Sequence, residues 1–131
     1  MAESMTFTKE TTDERGMVHG HLTLSNKSYA VVSGPYGHGS LPDGTYTIKT
    51  REVVDRGLPA SYKAGGTEFF IPITPDFETD RDGFGIHPDG GSAIGTKGCV
   101  GLVGRDALTF WNAWTAISLS HRPTSLVVTS P

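Results

Sequence analysis

The sequence predicts a mainly β domain carrying one C-terminal helix, and three observations predict it. Short runs rich in Val, Ile, Thr, Tyr and Leu alternate apolar with polar residues, and a spacing of three and four appears only beyond about residue 105. Seventeen glycines and eight prolines are scattered between those runs rather than gathered in one tract, as many short strands joined by tight turns require. At 131 residues with 36% apolar content the chain can bury one core and is too short to divide, so residues 1–131 read as a single domain.

Met1 to Glu10 is acidic and polar, where an export signal needs a basic start and an apolar run of about 7 to 15 residues. No stretch approaches the roughly 18 consecutive apolar residues of a membrane span. The expectation is a chain made in the cytosol, with no membrane span. From Met17 to Leu24, Val18, Gly20, Leu22 and Leu24 fall on one face of a strand, with His19, His21 and Thr23 on the other. Ser25-Asn26-Lys27 supplies turn residues, so Tyr29 to Val32 forms the second arm of a hairpin. Ser33-Gly34-Pro35-Tyr36-Gly37-His38-Gly39 is irregular, and the turn Leu41-Pro42-Asp43-Gly44 launches a strand over Thr45 to Lys49, with a further arm over Thr50 to Val54.

Phe69-Phe70-Ile71-Pro72-Ile73 has strand length, and Pro72 and Pro75 place it at a sheet edge because proline cannot donate to a ladder. Asp106 is positioned to cap a helix over about 105–118, with Ala107, Leu108, Trp111 and Trp114 as its buried face. His121-Arg122-Pro123 ends it, and Ser125 to Thr129 returns as a last strand.

A net charge of −3 without any Lys/Arg run excludes a phosphate backbone as partner, so no nucleic acid is expected. The single cysteine, Cys99, cannot form an internal disulfide and is free for chemistry. It stands in Thr96-Lys97-Gly98-Cys99-Val100-Gly101-Leu102, twelve residues after the histidine of Gly85-Ile86-His87-Pro88. Each group lies at a short strand-like piece, and pairing of the two pieces brings both to one end of a sheet. A thiol with a reference pKa of about 8.5 needs a partner to act as a nucleophile at neutral pH, and His87 is the best placed. Gly98 lets the backbone turn so that successive amide hydrogens face the carbonyl under attack. Thr96 supports that loop by bonding an amide or carbonyl, and Lys97 is the nearest cation for a substrate carboxylate. The competing reading is a small buried thiol beside a structural histidine.

Gly85-Ile86-His87, the glycine-rich gap and Thr96-Lys97-Gly98-Cys99-Val100 resemble the catalytic signature of the L,D-transpeptidase (YkuD-type) family. Ser33-Gly34 and Leu41-Pro42-Asp43-Gly44-Thr45-Tyr46-Thr47-Ile48 resemble its upstream loop and strand, so the resemblance spans about residues 30 to 103. Lys97 stands where the family often has histidine and Gly101 where it often has arginine or asparagine, a variant to which compact members associated with interbacterial toxins and phages look closer.

The resemblance implies a mostly antiparallel β-sandwich or barrel-like sheet, and a peptidoglycan stem-peptide L,D-carboxypeptidase or L,D-transpeptidase. Its thioester on Cys99 forms at the bond after the third, diaminopimelate, residue. By position Cys99 is the nucleophile, His87 the base and later acid, and Gly98 with Cys99 the oxyanion donors supported by Thr96; Lys97, Tyr36 and Gly85 are the expected substrate contacts. No metal or cofactor is needed. Delivery to a periplasm by a secretion machine or by lysis, with a cognate immunity protein as partner, is one setting; a cytosolic carboxypeptidase of cell-wall recycling is another. A cell-wall-binding or phage structural domain is the alternative from another class.

His19 and His21 on one strand face have a zinc-compatible spacing that His38, His87 or a carboxylate would complete, and Glu78-x-Asp80-x-Asp82-Gly83 with Asp89 at the twelfth place fits a calcium loop. An exposed polar face and a solvated acidic turn are the favoured readings of the two. Trp111 and Trp114 at helical spacing read as core rather than as a glycan groove.

Overall fold

Alternation of the kind read at Val18–Leu24 builds most of the structure, a computed structural model that describes residues 4–37, 39–90 and 95–131. The molecule is mainly β with one α-helix. In chain order the barrel strands are β1 (Ser4–Thr12), β2 (Val18–Leu24), β3 (Lys27–Ser33) and β4 (Gly44–Ile48). A two-stranded ribbon of β5 (Lys63–Ala64) and β6 (Thr67–Glu68) precedes β7 (Ile71–Pro75), β8 (Gly85–Pro88) and β9 (Val100–Leu102). Helix α1 (Arg105–Ala116) and β10 (Ser125–Thr129) complete the chain. The sheet closes in the order β1-β10-β4-β7-β8-β9-β3-β2. No described helix is long and apolar enough to cross a membrane.

Inward-facing residues from neighbouring strands form one core: Met5, Phe7, Leu22, Tyr46, Ile71, Ile86 and Leu126 are each fully buried. Helix α1 covers one side, where Phe110 meets the edge of Tyr29 at 5.5 Å between ring centres. Trp114 lies beneath the guanidinium of Arg122 at 5.6 Å. The hairpin expected at Ser25-Asn26 forms between β2 and β3, both residues taking positive φ as a tight primed turn demands.

Several expectations are corrected. The mainly β, barrel-like sheet with one C-terminal helix is as expected and most of its pairings are antiparallel, but β1 pairs with β10 and β8 with β9 in parallel. The first pairing closes the cylinder by bringing the two ends of the chain together, and the second is permitted by the long connection between Pro88 and Val100. Strand β7 is interior, not an edge. Pro72 is tolerated there because only its carbonyl is used, accepting from the Lys49 N–H just past the end of β4. Thr50–Val54 forms no strand arm; Val54 makes only an isolated bridge with Phe70.

The helix stops at Ala116, where the Ile117 N–H turns back to Trp114 O and the Arg122 Nε takes Ile117 O at 2.9 Å. Asp106 does not cap it: Gly104 is the cap residue, and the Asp106 carboxylate accepts from the Ala30 N–H of β3 at 2.7 Å. The buried face is Ala107, Phe110 and Trp114, whereas Leu108 is 39% exposed and Trp111 is half-buried, stacked on Phe69.

Candidate active site

Parallel pairing of β8 with β9 puts Ile86 beside Val100 and His87 beside Gly101, so Cys99, one residue before β9, comes level with Gly85. Two groups twelve residues apart in sequence thereby reach one end of the sheet. His87 is 4% exposed. Its Nδ1 lies 2.7 Å from the carbonyl of Pro88, which can only accept, so Nδ1 carries the proton and Nε2 keeps its lone pair. The imidazole is held by Tyr62, 4.5 Å away between ring centres, and by Phe70, stacked at 5.8 Å. Burial pushes its pKa below the ordinary histidine value, against the opposing pull of the Pro88 carbonyl.

Cys99 is partly buried, and its thiol is directed at the Gly83 carbonyl, 3.8 Å away. Burial raises the thiol pKa, while the Gly85 N–H and the positive charge of Arg81 pull it down. The resting pair is therefore a neutral thiol and a neutral imidazole rather than a preformed thiolate and imidazolium.

Thr96 organises the segment before the thiol. Its Oγ1 accepts from the Gly34 N–H and the Gly98 N–H, each at 3.1 Å, and donates to the Cys99 carbonyl at 2.9 Å. Its own backbone pairs with Gly34 O at 2.8 Å and the Tyr36 N–H at 3.1 Å. The Gly98 amide is thus spent on Thr96 and does not face the cavity as an oxyanion donor, which corrects the role expected of it. The Cys99 amide has no acceptor among the described residues. Gly98 itself sits at φ +117, where a side chain is strained and a Cβ would run into the Arg81 guanidinium.

Because Thr96→Val keeps the shape but strands the buried Gly34 and Gly98 amides, it is expected to cost about 2–4 kcal/mol. Denaturant titration checks this, and Thr96→Ser should restore most of the loss.

The thiol and imidazole open on a cavity of about 440 Å³ whose walls include Tyr36, Tyr62, Asp89, Thr96 and Lys97. Tyr36 and Lys97 lie where a substrate contact was expected. Gly85 does not line it: the residue is buried under the Phe70 ring and acts on the sulfur through its N–H. Burial raises the Asp89 pKa, although the Gly95 N–H donates to its carboxylate at 3.1 Å. A larger hollow of about 580 Å³ beside Asp55, Glu68 and Trp111 holds neither thiol nor imidazole. Chemistry assigns the site to the smaller one.

Tyr62 and Arg81 carry no sequence signal for this site, and Asp89 carried only that of a calcium loop. Tyr62 sits on a 3-10 turn, Ala60–Tyr62, in a stretch read as loop, and only closure of the barrel brings it to His87. Asp89 and Arg81 were visible only as parts of an acidic turn. Gly101 has a reason to lack a side chain, since a Cβ would approach Thr96 Cγ2 at 2.9 Å and Asp89 Cβ at 3.0 Å. His19 pairs with Asp13 and His21 with Glu10, and His38 lies outside the described residues. Glu78, Asp80 and Asp82 are exposed. Among the described residues no three His, Cys, Asp or Glu side chains gather as a metal site. No family model, curated protein or solved structure matches the chain.

Proposed function

We propose that this chain is a cysteine-dependent L,D-carboxypeptidase or L,D-transpeptidase of peptidoglycan stem peptides, acting at the bond after the third, diaminopimelate, residue. The observation that carries the acyl-transfer reading is the meeting, on one cavity, of a thiol with an imidazole whose Nδ1 carries the proton, leaving the Nε2 lone pair as its basic site. Motif resemblance carries the choice of substrate. The cavity supports that choice, because diaminopimelate ends in an ammonium and a carboxylate, and Asp89 and Lys97 offer the complementary charges.

In the proposed reaction substrate turns the thiol from Gly83 to His87, whose Nε2 takes the Sγ proton as sulfur attacks the carbonyl carbon. The tetrahedral oxygen is met by the Cys99 N–H. The imidazolium, supported by the Pro88 carbonyl, then protonates the departing amine as the C–N bond breaks. Water or a second amine resolves the thioester, giving hydrolysis or transfer.

Incubation with muropeptide tetrapeptides is expected to release the terminal residue or exchange it for a free D-amino acid. No loss, no exchange and no cross-link change would sink the reading. Expression with a fused signal peptide is expected to lyse cells where untagged expression does not, as an effector delivered to the periplasm requires; no lysis in either place points to cell-wall recycling. The thiol's burial and its contact with Gly83 favour a second reading, a cell-wall-binding or phage structural domain in which Cys99 only packs. The tetrapeptide assay separates the two.

A further inference from the structure

Arg81 lies between Asp80 and Asp82 ahead of β8, but unlike those exposed neighbours it is half-buried. Its Nη1 donates to the Ser40 carbonyl at 3.2 Å and its Nη2 to the Gly39 carbonyl at 3.3 Å. The guanidinium carbon sits 5.2 Å from the centre of the Phe84 ring. Its tip occupies the space that a side chain at position 98 would fill. A planar cation gripped on two carbonyls and one ring face is held in place, unlike a surface charge on a mobile stem.

We propose that Arg81 is the positioning residue of the nucleophile: it ties the Gly39–Ser40 loop to the segment carrying Cys99 and sets a fixed positive charge beside the sulfur. The inference rests on Cys99 being the reactive thiol. The downward pull of Arg81 on the thiol pKa, working against burial, agrees with it. Gly98 gains a reason beyond its own backbone, since any larger residue would expel the guanidinium from its seat. Among the described residues, the other charged or titratable groups around the thiol are His87 and Asp89 from β8 and its exit, Tyr36 and Tyr62 on the cavity wall, Lys97 on the same segment, and Asp80 and Asp82 beside Arg81. All of them remain in the two Arg81 variants below.

The test is alkylation of Cys99 by neutral iodoacetamide and anionic iodoacetate across pH, in Arg81→Gln and Arg81→Lys. Gln retains an N–H for the loop carbonyls but no charge; Lys retains the charge but not the two-pronged grip. Arg81→Gln is expected to slow iodoacetamide at neutral pH by about threefold or more, move the profile to higher pH, and lower the iodoacetate-to-iodoacetamide rate ratio. Arg81→Lys should keep most of both. An Arg81→Gln protein with wild-type profile and ratio overturns the proposal, as does an Arg81→Lys protein that loses as much as Arg81→Gln. If Arg81→Gln does not fold, the ratio is read against ionic strength in Lys97→Gln protein: a fall with salt supports the fixed cation, and a flat ratio overturns it. Alkylation needs no stem peptide, so this outcome stands apart from that of the tetrapeptide assay.

Discussion

Cys99→Ala is expected to fold as the wild type does and to release no terminal residue from a tetrapeptide substrate. Both halves follow from one geometry. The side chain is partly buried and its sulfur makes a long contact to the Gly83 carbonyl and one to the Gly85 N–H, so trimming it to a methyl costs little packing, and a melt should move by no more than a few degrees. No other described residue on the cavity carries a thiol, and the chain holds no second cysteine to substitute for it. Activity should drop to background, because the remaining groups supply binding and proton transfer without a bond-forming atom. A variant that retains turnover would move the chemistry elsewhere.

The second large effect belongs to His87. His87→Gln should lower kcat/KM by about a hundredfold to ten-thousandfold, the usual contribution of a positioned general base. Its pH behaviour carries more information than its size. Burial holds the imidazole pKa below about 6.5, so the acid limb of wild-type activity should fall below that pH, where the base becomes protonated.

The same shift bears on stability with a definite sign. In the unfolded chain His87 binds a proton as pH drops through about 6.5, whereas the buried imidazole resists it, so the contribution is fully present above that pH and lost as pH falls. The slope for one such group is at most about 1.4 kcal/mol per pH unit. Unfolding titrations at neutral and acid pH should therefore show a smaller acid loss in His87→Gln than in wild type. Equal losses would mean that the imidazole protonates freely in the folded protein.

How far the sequence reached is seen in particular strands. Strands β2 and β10 declare themselves by period-two alternation, and Gly85–His87 and Val100–Leu102 by their apolar shortness between glycines. Strand β1 was not legible, because only Met5 and Phe7 alternate with threonines and its second half, Thr8 to Thr12, is polar with no buried residue to continue the period. The direction of β9 was not legible, since parallel and antiparallel pairing of two short apolar pieces leave the same local pattern.

The site divides along the same line. Cys99, His87, Thr96 and Lys97 share one stretch of chain and announce themselves by residue type and spacing. Tyr62 and Arg81 reach the thiol and imidazole only through the folding of distant segments onto β8 and β9, and nothing local marks them, whereas Asp89 follows β8 directly and was legible only as the last place of a calcium loop. The Gly98 amide shows the converse: the glycine was visible, but its hydrogen-bond partner, the Thr96 hydroxyl, depended on a loop conformation that spacing does not encode.

The central claim is that Cys99 becomes acylated, and intact-protein mass spectrometry of the enzyme quenched in acid during turnover of a muropeptide tetrapeptide tests it most directly. A hydroxylamine-sensitive mass increase matching the peptide less its terminal residue, mapping to Cys99 and absent from Cys99→Ala, is the result predicted. Release of the terminal residue by the wild type and by Cys99→Ala alike, with no adduct on either, would contradict it.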